Sequence, residues 1–235
     1  PVGRNAPTVY NAALHVSQFW DGRAADVEEQ AKGPVLAAGE MGMPNAETVV
    51  SVLKDIPGYL PYFEAAFPGE DDPITYDNVG TAIGAFERRL VTPGRFDEFL
   101  AGDTTALTEA EQEGLALFMN TGCTACHYGP ALGGNSYATL GAQEPYTTND
   151  LGRYVVTGKE ADMHVFKVPS LRNIAVTGPY LHDGSIPTME SMVQLMVRHQ
   201  LGKQLTSDQV DSVVIFLRSL TGELPADYTL QPQLP

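Results

Sequence analysis

Two thiols and an imidazole stand close together in Cys123-Thr124-Ala125-Cys126-His127. C-x-x-C-H is the pattern of covalent c-type haem attachment. Each sulfur forms a thioether bond to a haem vinyl group, and the histidine becomes the proximal ligand of the iron. Two intervening residues let both sulfurs reach one edge of the porphyrin while the next side chain swings beneath the metal. Other chemistry fits less well. A thioredoxin-like redox pair needs only C-x-x-C and leaves His127 without a part. A zinc site needs two more ligands nearby. The chain has 2 cysteines, and its other histidines (His15, His164, His182 and His199) are scattered. Buried, inert thiols are the remaining alternative.

The other face of such an iron takes a methionine, a histidine or an open position. A thioether favours the ferrous ion and raises the potential, whereas a second histidine lowers it. On the C-terminal side the candidates are Met163, Met189, Met192, Met196, His164, His182 and His199. Met189, Met192 and Met196 are spaced by three and four, which equally describes the core stripe of a helix. Periodicity does not choose among them.

The elements that must hold these groups read as helix plus loop, an all-α pattern without a hairpin series or repeat. A helix is expected to begin near Ala24 and break at Gly33-Pro34. Asn45 caps a helix over 46–54, and an aromatic helix runs over 59–67. Another runs from Thr75 or Tyr76 to Leu90 with Val79, Ile83, Phe86 and Leu90 on one face. Pro93-Gly94 is a hinge, followed by a short helix over 96–100. Thr108 and Glu111 form a capping box that starts a helix running into the C-x-x-C-H motif. Residues 128–165 are rich in Gly, Thr, Asn and Tyr and read as loops wrapped around a cofactor. A helix covers 187–199. A second capping box, Thr206 and Gln209, opens the last helix, which ends at Gly222. A helix entering C-x-x-C-H and a late amphipathic helix frame a class I cytochrome c domain over 107–222.

The chain has 235 residues and a formal net charge of −15, with 43% hydrophobic and 18% charged residues. The charge argues against nucleic acid and anionic membranes as partners, and suits a basic electron donor as well as simple solubility. No run approaches the roughly 18 apolar residues of a membrane span. Both cysteines serve the haem motif, so no disulfide is expected. Haem c is attached outside the bacterial cytoplasm, which points to the periplasm. The chain starts at Pro1 with no signal peptide, as a mature product or a fragment of one would.

The chain resembles the bacterial dihaem cytochrome c peroxidases. The matching stretches are Gly3-Arg-Asn-Ala-Pro-Thr-Val-Tyr-Asn11, Phe19-Trp-Asp-Gly-Arg23, Glu28-Glu-Gln30, the surroundings of Glu40-Met41, Cys123 to His127, Val168-Pro-Ser-Leu-Arg-Asn173 and Thr177-Gly-Pro-Tyr-Leu-His-Asp-Gly184. The resemblance implies reduction of hydrogen peroxide to water, with electrons from a small cytochrome c or cupredoxin entering at a high-potential haem. It makes His127 and Met196 the axial ligands of that haem. It makes Trp20, otherwise a core aromatic, a relay between two haems, and places Gln30 and Glu40 at the peroxide pocket. A carboxylate there can move a proton between the peroxide oxygens, and an amide can orient them. It further implies a Ca²⁺ ion held by the side chain of Asn5 and the carbonyls of Thr177 and Pro179, and a homodimer. His182 falls in the Tyr180–Gly184 signature without an assigned role.

C-x-x-C-H occurs once in this sequence, whereas the family has it twice. The chain is therefore expected to be the C-terminal two-thirds of a longer enzyme. It would hold one haem c of the parent protein's two, and be redox active but nearly inactive as a peroxidase alone. Residues 1–92 are then the remainder of an N-terminal peroxidatic domain, 93–223 the electron-entry cytochrome c domain, and 224–235 a tail lying on the first domain. The loop from Ala31 to Pro44 has the glycines and prolines of a segment able to move. A single-haem electron-transfer module is the competing function, and would have no second motif upstream in its parent gene. A third is the related dihaem enzyme that matures tryptophan tryptophylquinone. It has tyrosine where this chain has Met196.

Overall fold

The computed structural model describes residues 3–230 and 235. It is helical, as the patterning requires, with one small sheet besides, and most of the longer helices start where a side chain can satisfy their first free N–H groups. Helix α1 (Val27–Leu36) is capped by Asp26, which accepts from the Glu29 amide. Asn45 caps α2 (Ala46–Lys54), and Thr75 caps α4 (Tyr76–Glu87); between them lies α3 (Tyr59–Ala66). Both capping boxes form, Thr108 with Glu111 on α6 (Glu109–Thr121) and Thr206 with Gln209 on α9 (Ser207–Ser219). Short helices α5 (Arg95–Leu100) and α7 (Tyr154–Thr157) and the longer α8 (Met189–Leu201) complete the set.

Four expectations need correction. Gly33 and Pro34 lie inside α1 rather than ending it. Proline lacks an amide, so its bond to the Gln30 carbonyl is missing, but the helix has only two residues left and the loss is bearable. The start of α1 is Val27, set by the Asp26 cap, not Ala24. The buried face of α4 carries Gly80, Gly84 and Glu87, while Phe86 is 52% exposed. The apolar stripe was misplaced by one residue because glycine scores as neutral but permits the closest approach. Finally, the loop region is not wholly irregular. Strand β1 (Tyr137–Thr139) pairs antiparallel with β2 (Val165–Lys167), Ala138 opposite Phe166.

In the first half α1 packs against α4. In the second, α6 and α8 both pack on α9. Phe216 of α9 is fully buried and sits edge-on to Phe96 at 5.6 Å and tilted to Phe118 at 5.3 Å. Such a core aromatic contributes roughly 3–5 kcal/mol. The α6–α9 crossing is tight because Gly114 has no side chain. A Cβ there would stand 2.2 Å from the Ser212 carbonyl oxygen.

The two halves meet at a buried polar junction. Asn11 donates to the Thr92 hydroxyl at 2.8 Å and accepts from the Thr92 amide at 3.0 Å. Asn173 donates to the same hydroxyl at 2.8 Å and accepts from the Gly222 amide at 2.9 Å. Pro93-Gly94 follows directly, so this junction is pinned by four hydrogen bonds rather than free. Beyond α9, Tyr228 lies under the Arg89 guanidinium, 4.4 Å from ring to cation, so this part of the tail rests on the first half. Pro1, Val2 and tail residues 231–234 lie outside the described residues.

Gly114→Val should cost about 1–3 kcal/mol by overpacking the crossing, read as a fall in the urea midpoint. A second expectation concerns acid. Hydrogen bonds from Arg95 hold the Glu111 carboxyl down to about 2, against an ordinary value of 4.5. A lowered carboxyl stabilises above its unfolded value and loses that stabilisation as pH falls through the folded one. The stability gap between wild type and Arg95→Met should therefore be widest above pH 4.5 and close towards pH 2. A gap independent of pH would contradict the pairing.

Candidate haem-binding site

Helix α6 ends at Gly122, whose φ of 106° turns the chain into the cysteine motif. Residues Cys123–Ala125 form one 3-10 turn, closed by the Cys126 amide donating to the Cys123 carbonyl at 3.2 Å, and the His127 amide donates to the same carbonyl at 2.9 Å. Both cysteines are free thiols. The short turn brings Cys123, Cys126 and His127 onto one wall of a cavity of 240 Å³. Burial pushes the Cys123 thiol up to about 11, so it is held as the neutral thiol.

His127 is oriented by backbone. Its Nδ1 lies 3.1 Å from the Leu132 carbonyl, and the Pro169 carbonyl also faces it. Burial lowers its pKa, and those two carbonyls oppose the shift. The ring is then neutral, with its proton on Nδ1 and its Nε2 lone pair free. That is the arrangement a metal-ligating histidine adopts. The Pro169 carbonyl comes this close because Gly133 (φ 131°) faces it. A Cβ at Gly133 would meet that oxygen at 2.1 Å.

Helix α8 lines the same cavity. Met189, Met192 and Met196 all line the cavity, as does His182. Of the sequence candidates for a sixth ligand, Met163, His164 and His199 do not line it. Instead His164 Nδ1 is engaged by the Asp150 carbonyl and His199 Nδ1 by the Glu144 carbonyl, each at 2.8 Å. An apolar slot with two thiols, an oriented imidazole and thioethers facing it suits a haem c.

The segment from Asn5 to Thr8 also lines the cavity, tied down by a partly buried ionic cluster. Arg4 donates to Asp21 and to Asp150, both at 2.6 Å. Trp20 lines the cavity and its indole N–H donates to the Asn5 carbonyl at 2.8 Å. Trp20 stands edge-on to His182, 6.5 Å away, and His182 stacks on Phe166 at 4.4 Å. The Nδ1 of His182 is buried without a partner, while its Nε2 meets the Thr148 hydroxyl at 3.2 Å. Asn5, Thr177 and Pro179 all border the same cavity. The Asn5 amide donates to the Pro179 carbonyl at 2.7 Å and to the Leu181 carbonyl at 3.3 Å. Turning that amide over would present its oxygen beside those carbonyls, a hard-oxygen set of the kind calcium takes.

Gln30 and Glu40 are not brought together. Gln30 borders a second, smaller cavity of 30 Å³ with Phe19 and Glu87. Glu40 is exposed in the turn after α1 and borders neither cavity. Glu87 escaped sequence reasoning. It is 7% exposed, one of its carboxylate oxygens is buried without a partner, and burial followed by the charge of Glu28 raises its pKa. The signal that could have found it is Gly80-x₃-Gly84-x₂-Glu87, small residues and one carboxylate on a single helical face.

With this geometry in view, likeness to known proteins is informative. The family described as di-haem cytochrome c peroxidase matches residues 1–105. The chain is 48% identical to cytochrome c551 peroxidase of Nitrosomonas europaea over 98% of its own length and 69% of the relative's. It is 44% identical to cytochrome c551 peroxidase of Pseudomonas aeruginosa, over 97% of this chain and 68% of that one. Among solved structures, a MauG-like protein associated with microbial copper homeostasis superposes with a TM-score of 0.83 at 28% identity. It covers 98% of this chain and 79% of its own.

Arg4 anchors the segment from Asn5 to Thr8. Arg4→Met leaves Asp21, which is 3% exposed, with only the outer Arg23 at 3.2 Å. We expect a loss of about 1–3 kcal/mol in urea unfolding. Arg23→Met, at a half-exposed side chain, should cost less than about 1 kcal/mol. Equal effects would contradict the assignment of Arg4 as the anchor.

Proposed function

The chain belongs to the di-haem cytochrome c peroxidases, oxidoreductases acting on peroxide, and from that premise we propose how its residues share the work. The sequence has C-x-x-C-H once, so this chain holds one of the two haems, between His127 and Met196, tethered by Cys123 and Cys126. The observation that carries the reading is the shared cavity: both thiols, the oriented imidazole and the α8 thioethers face one apolar space.

Haem bound there supplies a one-electron couple, which a thioether ligand sets at high potential. The protein's part is to fix and insulate it. The Leu132 and Pro169 carbonyls hold His127 in the ligating tautomer. Trp20, wedged between the Asn5 carbonyl and His182, offers an aromatic path out of the cavity towards the first half of the chain. Residues 1–92 form the peroxidatic half, 93–223 the electron-entry half, and 224–235 a tail on the former. In the first half Gln30 orients peroxide. Glu40 would accept a proton from one peroxide oxygen and return it to the other, while the second haem of the di-haem enzyme would supply the electrons that reduction of peroxide to water consumes. The expected Ala31–Pro44 loop is helix as far as Leu36. Because Glu40 lies outside the Gln30 cavity, this role therefore requires the turn after α1, from Ala37 to Pro44, to fold inwards.

Asn5, Thr177 and Pro179 hold Ca²⁺ at the seam between the halves. A net charge of −15 favours a donor with a basic face, a small cytochrome c or cupredoxin. Among the described residues no helix is long and apolar enough to cross a membrane. The periplasm, where haem c is attached, is the compartment, and a homodimer is the assembly.

Two experiments test this reading. In the haem-loaded protein, Met196→Ala should remove the sulfur-to-iron charge-transfer band and lower the midpoint potential, while Met189→Leu and Met192→Leu keep both. An unchanged Met196→Ala spectrum would contradict the ligand assignment. In the di-haem enzyme, Glu40→Gln should slow peroxide turnover by roughly 10²–10⁴-fold with electron entry intact. Wild-type turnover in that variant would remove Glu40 from the mechanism.

A further inference from the structure

The haem cavity is walled almost entirely by uncharged side chains. Among the described residues that line it, Lys167 is the one Asp, Glu, Lys or Arg. Lys167 closes strand β2 opposite Tyr137, and its amide donates to the Trp20 carbonyl at 2.8 Å. The residue is 5% exposed. In a chain with a formal net charge of −15, a buried cation would be expected to sit on a carboxylate. Arg4, in the same region, sits on two. Lys167 has none.

Its side-chain partner is neutral. Lys167 Nζ lies 2.9 Å from His15 Nδ1. Burial and the neighbouring Lys167 charge push His15 down to about 3, so its ring is uncharged and accepts from the ammonium. The His15 ring is fixed by close approach to Gly134, where a Cβ would meet it at 2.2 Å. An ammonium has three N–H donors, and His15 takes one. Burial alone shifts Lys167, down to about 8, with no carboxylate acting against it. A cation desolvated without a counter-charge is costly. Haem is amphipathic, an apolar macrocycle with two carboxylates on one edge, and Lys167 is the one charged residue among the described residues bordering the cavity, its ammonium held in place by His15 at the cavity's margin.

We propose that Lys167, oriented by His15, is the fixed counter-charge for a haem carboxylate, which sets that edge of the haem toward Trp20 and away from α8. The inference rests on the reading that this cavity takes haem c. Lys167 is a positioning residue and raises the midpoint potential, because a nearby cation favours the ferrous over the ferric iron.

The test is a spectroelectrochemical titration of the haem-loaded chain, with covalent haem content measured first on the wild type. A wild type without covalent haem overturns the haem reading and this inference with it. With haem present, Lys167→Met should lower the potential, shifting the ferric/ferrous equilibrium about tenfold, or ~59 mV for one electron. Lys167→Arg should restore most of the shift. A wild-type potential in Lys167→Met, with normal haem content, overturns the counter-charge alone. If Lys167→Met fails to fold or load, a structure of the haem-loaded wild type decides. Nζ at about 2.7–2.9 Å from a haem carboxylate oxygen supports the inference. Nζ bonded to His15 alone, with both carboxylates elsewhere, overturns it.

Discussion

The close crossing of α6 and α9 at Gly114 is the constraint on which the haem site depends. With Gly114 against the Ser212 carbonyl, and Phe118 against Phe216, the C-terminal end of α6 has one position relative to the core. Gly122 then turns the cysteine motif into the cavity, and α8, packed on α9, lines the same space. A side chain at position 114 would push these elements out of register long before it touched a ligand. The packing is dense enough that such strain is transmitted rather than absorbed.

Part of the lining belongs to the other half of the molecule. Trp20 and the Asn5 segment come from the first thirty residues, yet they line the same space as His127. Two polar devices hold them there, the Arg4–Asp21–Asp150 cluster and the junction of Asn11, Thr92 and Asn173. The junction is buried and the ionic cluster partly so, and each partner is hydrogen-bonded, which favours one arrangement over alternatives. The cavity is thus a seam between two halves, and a group bound in it touches both. This is the arrangement an enzyme needs if electrons received in one half are to be used in the other.

Much of this was legible in the sequence, and the reason is locality. The C-x-x-C-H motif, the capping boxes at Thr108 and Thr206 and the Asn45 cap depend on residues within a few positions of one another. The misses involve contacts made across the chain. The burial of Glu87 follows from α1 packing on glycines of α4. The Lys167–His15 pair joins residues 152 positions apart. The small sheet pairs two three-residue strands that are too short to show alternation. Pro34 misled for a different reason, since a proline near a helix end removes one hydrogen bond without ending the helix. The family resemblance singled out Trp20 and Asn5 where residue patterns were silent, and both stand at the cavity. It also singled out Glu40, which stands away from it in this conformation.

The central claim is that the cavity lined by Cys123, Cys126 and His127 holds a covalently bound haem. The most direct test is the mass of the denatured protein after expression with a cytochrome c maturation system, together with its pyridine haemochrome spectrum. The prediction is one haem retained through denaturation in the wild type and none in a Cys123→Ser/Cys126→Ser variant. A wild type that loses its haem on denaturation, or never acquires one, would contradict the claim.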